Sequence, residues 1–246
     1  MDSDFLKASD FFASLEGDER VYLLIRHAER NHITPGDPDY GAHVGLTERG
    51  REQAFSLGRT IPADGDICFF SSPVGRCVET AECIGRGRTF AQDATQGIAT
   101  QAAGPLQVQK LDCLAEYFVQ NYAAYEQVLR TGFYEGICEW LENETSQGSA
   151  DGSHAAAAAA EAFYPLTSRS EEMLSMMLEN GKARFNVFAT HDAWVVPCLT
   201  QFCGMKFTPQ RWMNFLTGMA VVTGAEGKAV RRIVPVTALE SGWLEF

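Results

Sequence analysis

The feature that most constrains this chain is an apolar run that ends abruptly in charge, because Val21-Tyr22-Leu23-Leu24-Ile25 is followed directly by Arg26-His27. Continuous apolar runs of this length are typical of parallel strands, which are covered on both faces. Ligands of open α/β sheets bind at the carboxyl ends of such strands. Unpaired charges beside a core are costly, so an arginine and a histidine there favour a bound anion. The segment therefore predicts a buried strand that carries an anion site, with phosphate as the first candidate.

Strand and helix patterns alternate along the chain and predict an α/β fold with a mainly parallel sheet sandwiched by helices. Further strands are predicted at 66–71, 106–111, 184–190, 215–222 and 230–236, and helices at 5–15, 47–60, 74–84, 168–180 and 193–202. Thr47 is a suitable N-cap for the second of these helices. The 246 residues are expected to form a single domain, since α/β proteins of this length commonly do.

Residues 112–163 fit no strand–helix repeat and are rich in aromatic residues. They are predicted to form a helical insertion, or cap, over the active-site edge of the sheet. Within this insertion, 147–154 is low in complexity and is expected to be a loop that leads into a helix of alanines.

Polar residues follow three of the predicted strands at the point where each strand ends. Arg26-His27 follows the first, a Ser-Ser-Pro turn leads to Arg76 after the second, and His191-Asp192 follows the strand at 184–190. The carboxyl ends of parallel strands meet at one edge of a sheet, so these residues are expected to converge there.

The segment Arg26-His27-Ala28-Glu29-Arg30 resembles the R-H-x-x-R signature of the histidine phosphatase superfamily, which has the phosphoglycerate-mutase-like fold. The L-T-x-x-G pattern from Leu46, the S-P-x-x-R pattern that ends at Arg76, and the late His191 follow in the same order as in that family. The resemblance spans about 20–235, without 112–163. It implies that His27 is phosphorylated during turnover and that a phosphate monoester is hydrolysed without a metal ion. It also implies that Arg26, Arg30, Arg76 and His191 bind the phosphate.

The chemistry of these side chains agrees with such a pocket. A phosphate monoester carries about −1.5 to −2 charges near neutral pH. The planar fork of arginine meets two phosphate oxygens at once, which lysine cannot do. An ordinary imidazole pKa leaves a neutral nitrogen on His27 for nucleophilic attack. Because the arginines supply the positive charge, no metal and no cofactor is expected.

Two carboxylic acids are candidates for the proton that the leaving alcohol needs. Asp192 is the first choice, because R-H-x-x-R with a late His-Asp resembles the acid-phosphatase and phytase branch of the family. The chain departs from that branch at Ala28, where the branch has glycine, and in lacking a proline after the second arginine. The other branch takes its acid from a glutamate of the inserted region, which makes Glu116 the alternative.

Two other functions stay open beside a phosphatase. A phosphomutase uses the same pocket, although the chain does not match the longer segment that follows R-H-G in those mutases. A catalytically silent module that binds a phospho-ligand is the second, although all the carried-over residues are present. The partner is expected to be a small phosphorylated substrate, and the sequence leaves both its identity and the oligomeric state open.

Charge and cysteine content bound the remaining classes. The net charge of −12 argues against binding to nucleic acid or to an anionic membrane. No signal peptide or membrane span is evident at the sequence level. The seven cysteines are odd in number and contain no C-x-x-C pair, which favours reduced thiols in a cytoplasmic protein. Among the histidines, only the weak 27/32 pair has a spacing typical of metal ligands, so no metal site is expected.

Overall fold

The computed structural model describes residues 4–33, 37, 39, 41–96, 106–145 and 160–244, and this part of the chain forms one seven-stranded sheet. The strand order is β1-β7-β6-β2-β5-β3-β4, in which β6 runs antiparallel to both of its neighbours and all other pairs are parallel. The strands are β1 (Leu6–Lys7), β2 (Arg20–Arg26), β3 (Ile67–Ser71), β4 (Val108–Lys110), β5 (Phe185–Thr190), β6 (Thr217–Thr223) and β7 (Val230–Thr237).

Helices cover both faces of this sheet, so the predicted α/β class is confirmed. Two separate apolar cores result, one on each face. The side chains of β2 alternate between them, with Tyr22 and Leu24 in one core and Val21, Leu23 and Ile25 in the other. The described helices are α1 (Ala8–Ala13), α2 (Glu48–Thr60), α3 (Gly75–Gln96), α4 (Tyr122–Thr131), α5 (Phe133–Thr145), α6 (Leu166–Asn180) and α7 (Asp192–Cys203). Within the described ranges, no helix has the length and apolar character needed to cross a membrane.

The register of the central strands brings the predicted polar ends together. β5 lies between β2 and β3, with Arg26 opposite Thr190 and Ser71 opposite Ala189. The three strands are parallel and end at the same level, so the residues that follow them lie side by side at one edge.

The helix predicted at 74–84 is wrong in its end, because α3 continues to Gln96. Two glycines lie just beyond the predicted end: a Cβ at Gly85 would meet the side chain of Leu106, whereas Gly87 serves the packing of α3 against α2. A Cβ at Gly87 would lie 1.9 Å from the carbonyl oxygen of Phe55, and one at Gly58 would lie 1.9 Å from that of Ile84. The glycines therefore allow the two helix backbones to approach closely.

Two smaller differences concern the ends of the chain's regular elements. The segment predicted as a helix over 5–15 begins with β1, which pairs with β7 at the edge of the sheet, and only Ala8–Ala13 is helical. The strand predicted at 106–111 is limited to Val108–Lys110. The N-cap prediction is confirmed, because the Thr47 hydroxyl accepts the backbone N–H of Gly50 at 2.9 Å.

The start of the inserted region is fastened to the same sheet edge. The hydroxyl of Thr190, the last residue of β5, donates to the carbonyl of Leu114 at 2.7 Å, and the indole of Trp194 donates to that of Ala115 at 2.5 Å. α4 and α5 follow and pack into the core that contains α7. The predicted loop at 147–154 and most of the alanine run lie outside the described residues.

Candidate active site

His27 stands directly after β2, and its hydrogen bonds fix both its position and its tautomer. Its backbone N–H donates to the carbonyl of Thr190 at 2.8 Å. Its Nε2 lies 3.2 Å from Nε of Arg76, and a guanidinium can only donate, so Nε2 is the acceptor. The proton is then on Nδ1, which lies 2.8 Å from the carbonyl oxygen of Ala28. The lone pair of His27 is therefore on Nε2.

His27 is held neutral by its surroundings. It is buried, and burial together with His191 and the arginines at 26 and 76 holds its pKa well below the usual value for histidine. A neutral imidazole with a lone pair on Nε2, next to a guanidinium, is the arrangement that a nitrogen nucleophile needs toward an anionic phosphorus centre.

Arg76, on the first turn of α3, links three parts of the site. Besides the bond to His27, its Nη1 donates to the carbonyl of Gly41 at 2.7 Å, and its Nη2 lies 3.4 Å from Nδ1 of His191. The side chain of Thr80, one helical turn further on, accepts the backbone N–H of Ala28 at 3.0 Å. α3 thus holds the residues after β2 through both a side-chain cation and a hydroxyl.

His191 is oriented opposite to His27 by the same guanidinium. Its Nδ1 accepts from Arg76, so its proton is on Nε2, which faces the hydroxyl of Ser72 at 3.2 Å. The Sγ of Cys77 is 3.6 Å from the same Nε2. Burial and Arg76 lower the pKa of His191 to about 3, so the ring is neutral. The two imidazole centroids are 5.6 Å apart.

Arg26 is buried and is held on several sides. Its Nη2 lies 3.1 Å from Oδ2 of Asp192, and its Nη1 donates to the carbonyl of Met213 at 2.7 Å. Its guanidinium carbon lies 4.1 Å from the ring centroid of Phe215. Its Nε–H is buried and has no hydrogen-bond partner among the described residues, which leaves a donor for a bound anion.

Asp192 is the first residue of α7 and is nearly completely buried. Its Oδ2 accepts from the indole Nε1 of Trp212 at 2.8 Å, in addition to the pair with Arg26. Burial alone would raise the pKa of Asp192. The charge of Arg26, the Trp212 hydrogen bond and His191 outweigh that effect, so the pKa lies below its ordinary value. Asp192 is therefore a carboxylate at neutral pH.

Arg30 and Glu116 lie less close to this group. Arg30 is half-buried, its Nη1 donates to the carbonyl of Asn31 at 2.9 Å, and burial together with Arg26 lowers its pKa. It senses the charges of the site without a hydrogen bond to the other predicted site residues that the structure describes. Glu116 is exposed and hydrogen-bonds to Tyr122, which raises the pKa of that phenol. The structure thus brings together Arg26, His27, Arg76, His191 and Asp192, with Arg30 close by and Glu116 turned to Tyr122.

Several residues of the site were not predicted from the sequence. Ser72 stands out in the sequence only as part of a turn, although its hydroxyl meets His191. Trp212, Met213 and Phe215 precede β6 and meet Arg26 or its partner Asp192, and Met213 lies 187 positions from Arg26 along the chain. No motif or periodicity marks such residues, because their role comes only from the pairing of β6 with β2.

The loop before α2 adds a charged cluster beside the site. His43 hydrogen-bonds through Nδ1 to Asp39 at 2.9 Å, and its Nε2 lies 3.7 Å from Asp37. The hydrogen bond to Asp39 and the charges of both carboxylates raise the pKa of His43. In the described part of the chain these three residues are the group whose ligand atoms, all within 4.8 Å of one another, have the type and spacing of metal ligands. They were not predicted as such, and their hydrogen bonds to one another account for their arrangement.

A groove of about 400 Å³ opens beside Arg76, between the 42–45 loop and the start of α3. The charged and titratable side chains that line it are Arg76, His43, Glu79, Glu82 and Lys110. A volume of this size is sufficient for a small organic group.

The chain is similar to a protein-family model and to several solved structures. No curated protein matches it in sequence. Among solved structures, the chain is similar to phosphoserine phosphatase from Entamoeba histolytica, with 16% identity, a TM-score of 0.48, and coverage of 89% of this chain and 99% of that one. It is also similar to phosphoglycerate mutase from Bacillus anthracis, with 12% identity, a TM-score of 0.48, and coverage of 85% and 89%.

The family model of the histidine phosphatase superfamily (branch 1) matches residues 22–233. The match begins within β2, where Arg26 and His27 stand at the end of the strand, and extends into β7. It therefore includes every residue of the site described above. The chain belongs to the histidine phosphatase superfamily.

Proposed function

We propose that this protein is a metal-independent phosphatase that hydrolyses a small phosphate monoester through a phosphohistidine at His27. The observation that carries the proposal is the contact of 3.2 Å between Nε of Arg76 and Nε2 of His27. This contact leaves the lone pair of His27 on Nε2, which supports attack by that nitrogen, and the guanidinium beside it is a suitable donor to a phosphate. Seven free thiols support a reducing compartment such as the cytoplasm for this activity.

In the first step, Nε2 of His27 attacks phosphorus, the N–P bond forms, and the P–O bond to the leaving alcohol breaks. The Nε–H of Arg76, which now faces Nε2, turns to an equatorial phosphate oxygen as the lone pair is used. Guanidiniums stabilise the charge on these oxygens in a loose, in-line transition state. Nδ1–H of His27 keeps its bond to the carbonyl of Ala28, which stabilises the positive charge that develops on the ring.

The leaving oxygen takes a proton from a carboxylic acid, and the resulting carboxylate accepts a proton from the water that then attacks phosphorus and breaks the N–P bond. We propose Asp192 for this role, with Glu116 as the alternative. Asp192 is ionised beside Arg26, so it must first take up a proton from solvent, which the bound phosphate favours because it competes for the charge of Arg26 and raises the carboxyl pKa. Glu116 is exposed and needs to turn from Tyr122 toward the substrate.

The hydrolysis of p-nitrophenyl phosphate in excess EDTA, between pH 4.5 and 8, tests the proposal with wild-type protein and His27→Ala. We expect turnover in the wild type and a loss of at least about a thousandfold in the variant, because the attacking atom is missing. Wild-type protein mixed with substrate and quenched in alkali is expected to retain a phosphate that is lost in acid.

His32→Ala is the matched control, because His32 is an exposed histidine of the loop that follows the same strand. It is expected to keep wild-type activity. Wild-type protein that is inactive in EDTA but active with a divalent metal would contradict the proposal, as would full activity in His27→Ala. An inactive wild type that still binds inorganic phosphate would instead support a silent phospho-ligand module.

A further inference from the structure

Trp212 belongs to none of the sequence motifs that predicted the site, yet its indole contacts a residue of the site. The side chain is fully buried, and its Nε1–H donates to Oδ2 of Asp192 at 2.8 Å. The same Oδ2 lies 3.1 Å from Nη2 of Arg26. Oδ2 of Asp192 therefore contacts both the indole N–H and the guanidinium. The two contacts together fix the orientation of the carboxylate and its distance from Arg26.

The residues next to Trp212 hold Arg26 from other sides. The carbonyl of Met213 accepts from Nη1 at 2.7 Å, and the ring of Phe215 lies under the guanidinium at 4.1 Å. Both Nη atoms are thus fixed by the 212–215 segment, directly or through Asp192. The buried Nε–H of Arg26 is left without a partner in the described structure, so its direction is set by these contacts.

The 212–215 segment is itself fastened to the end of the described chain. The backbone N–H of Leu244 donates to the carbonyl of Trp212 at 2.8 Å, and that of Asn214 donates to Gly242 at 2.8 Å. The side chain of Asn214 adds a bond to the carbonyl of Ser241 at 3.1 Å. These hydrogen bonds fix the 212–215 segment in place, and a binding group needs such support to keep its orientation.

We propose that Trp212 is a positioning residue of the phosphate site: its indole N–H holds the carboxylate of Asp192 against Arg26 and thereby fixes the direction in which Arg26 offers its donors to a phosphate. The effect of this positioning on catalysis rests on the proposed function. Its effect on the binding of a phosphate anion does not depend on turnover. A charged group that binds a ligand commonly needs a hydrogen-bonded neighbour that holds it in a productive geometry.

The ionisation of Asp192 gives an independent measure of the same contact. The indole donates to the ionised carboxyl and so favours that form, in the same direction as the charge of Arg26. Removal of the indole N–H is therefore expected to raise the pKa of Asp192. The titratable and charged groups that face Asp192 are Arg26, Arg30, Arg76, Cys77, Tyr134 and His191.

Trp212→Phe tests the role, because it removes the N–H donor and keeps an aromatic ring. Trp243→Phe is the matched control: Trp243 lies on the strand-like segment beside Met213, and its Nε1 is buried with no hydrogen-bond partner among the described residues. Affinity for inorganic phosphate is measured by calorimetry at pH 7, and the Asp192 carboxyl is titrated by carbon-13 NMR, with Asp192→Asn to assign its signal.

We expect Trp212→Phe to weaken phosphate binding by about fivefold or more, as for the loss of one hydrogen bond to a charged group, and to raise the pKa of Asp192. Trp243→Phe is expected to change neither. A merely structural role would lower the unfolding free energy of Trp212→Phe while leaving both values as in the wild type, and that result would overturn the proposal.

A second measurement needs no substitution at Trp212, in case the variant does not fold. The indole N–H resonances of the wild type are followed while inorganic phosphate is added, and Asp192→Asn identifies the resonance of Trp212. We expect this resonance to shift more than those of the other tryptophans, and no shift would overturn the proposal. If the protein binds phosphate in this way but hydrolyses no ester, the positioning role stands and the proposed function fails. If the enzyme is active and Trp212→Phe changes neither phosphate binding nor turnover, the proposed function stands and the positioning role fails.

Discussion

At the scale of single residues, the hydrogen bonds of Arg76 set the tautomer of each histidine of the site. Arg76 donates to Nε2 of His27 and to Nδ1 of His191, so the two imidazoles carry their protons on opposite nitrogens. His27 is left with a lone pair on Nε2, as the proposed attack requires, and His191 with an N–H that Ser72 now accepts. A donor that leaves Ser72 for a phosphate oxygen would complete the set of hydrogen bonds around the transferred group.

The leaving-group dependence of the rate distinguishes the two candidate acids. p-Nitrophenolate leaves readily without a proton, whereas an alkoxide does not, so loss of the acid slows alkyl phosphates selectively. We expect Asp192→Asn to lower kcat/KM for an alkyl phosphate about a hundredfold more than for p-nitrophenyl phosphate. The same pair of substrates is measured with Glu116→Gln.

The ratio between substrates is the informative quantity, because Asp192 also contacts Arg26 and its loss slows both reactions. Equal slowing of the two esters by Asp192→Asn would remove Asp192 as the acid and leave it as a partner of Arg26. A selective effect of Glu116→Gln, with none from Asp192→Asn, would assign the proton to Glu116.

The sequence was sufficient to predict the residues that stand at strand ends. Arg26 is the last residue of β2, His27, Arg76 and His191 follow a strand or its turn, and parallel strands bring such residues to one edge. Trp212 and Phe215 were beyond prediction, because they lie before a strand whose antiparallel pairing with β2 no local pattern reveals. The half-buried Arg30 was predicted by motif alone, and its hydrogen bond to Asn31 instead of a site residue depends on side-chain direction.

At the scale of elements, α2 and α3 show how a glycine can mislead. Gly85 and Gly87 follow the predicted end of this helix, and glycine lowers helix propensity. In the structure the lower helix propensity of Gly87 is offset, because this glycine lets α3 contact the backbone of α2 at Phe55. Arg76 stands at the start of α3, so this close packing also holds the guanidinium that faces His27.

Gly87→Ala is expected to lower the free energy of unfolding by about 1–3 kcal/mol, because the added methyl would lie 1.9 Å from the Phe55 carbonyl oxygen and force the helices apart. Urea denaturation followed by circular dichroism measures the change. Gly75→Ala is the control in the same helix, since a Cβ there meets nothing within 4 Å.

Helix propensity alone would make both substitutions neutral or stabilising. Gly75→Ala is therefore expected to leave the stability unchanged or slightly raised. A Gly87→Ala protein as stable as the wild type would show that α2 and α3 do not need their close approach.

At the scale of the whole molecule, the site gathers positive charge although the protein as a whole is acidic. The chain carries 32 acidic and 20 basic side chains, for a net charge of −12, while Arg26, Arg30 and Arg76 gather at one sheet edge. Arg26 and Arg76 are buried, so their attraction for an anion acts at short range and is little screened by salt. The acidic exterior, in contrast, repels an approaching phosphate ester over a distance that salt controls.

Ionic strength is therefore expected to increase kcat/KM for a dianionic ester. Between 10 and 150 mM KCl the Debye length falls from about 30 to about 8 Å, which screens the repulsion of the exterior and leaves the contacts in the pocket intact. We expect a rise of roughly two- to fivefold in kcat/KM, with kcat unchanged, in initial-rate measurements at constant pH. Potassium acetate at the same ionic strength is expected to give the same rise, because the effect depends on screening and not on the anion. A fall in kcat/KM with both salts would mean that the positive potential of the arginines extends beyond the acidic exterior and attracts the substrate from solution.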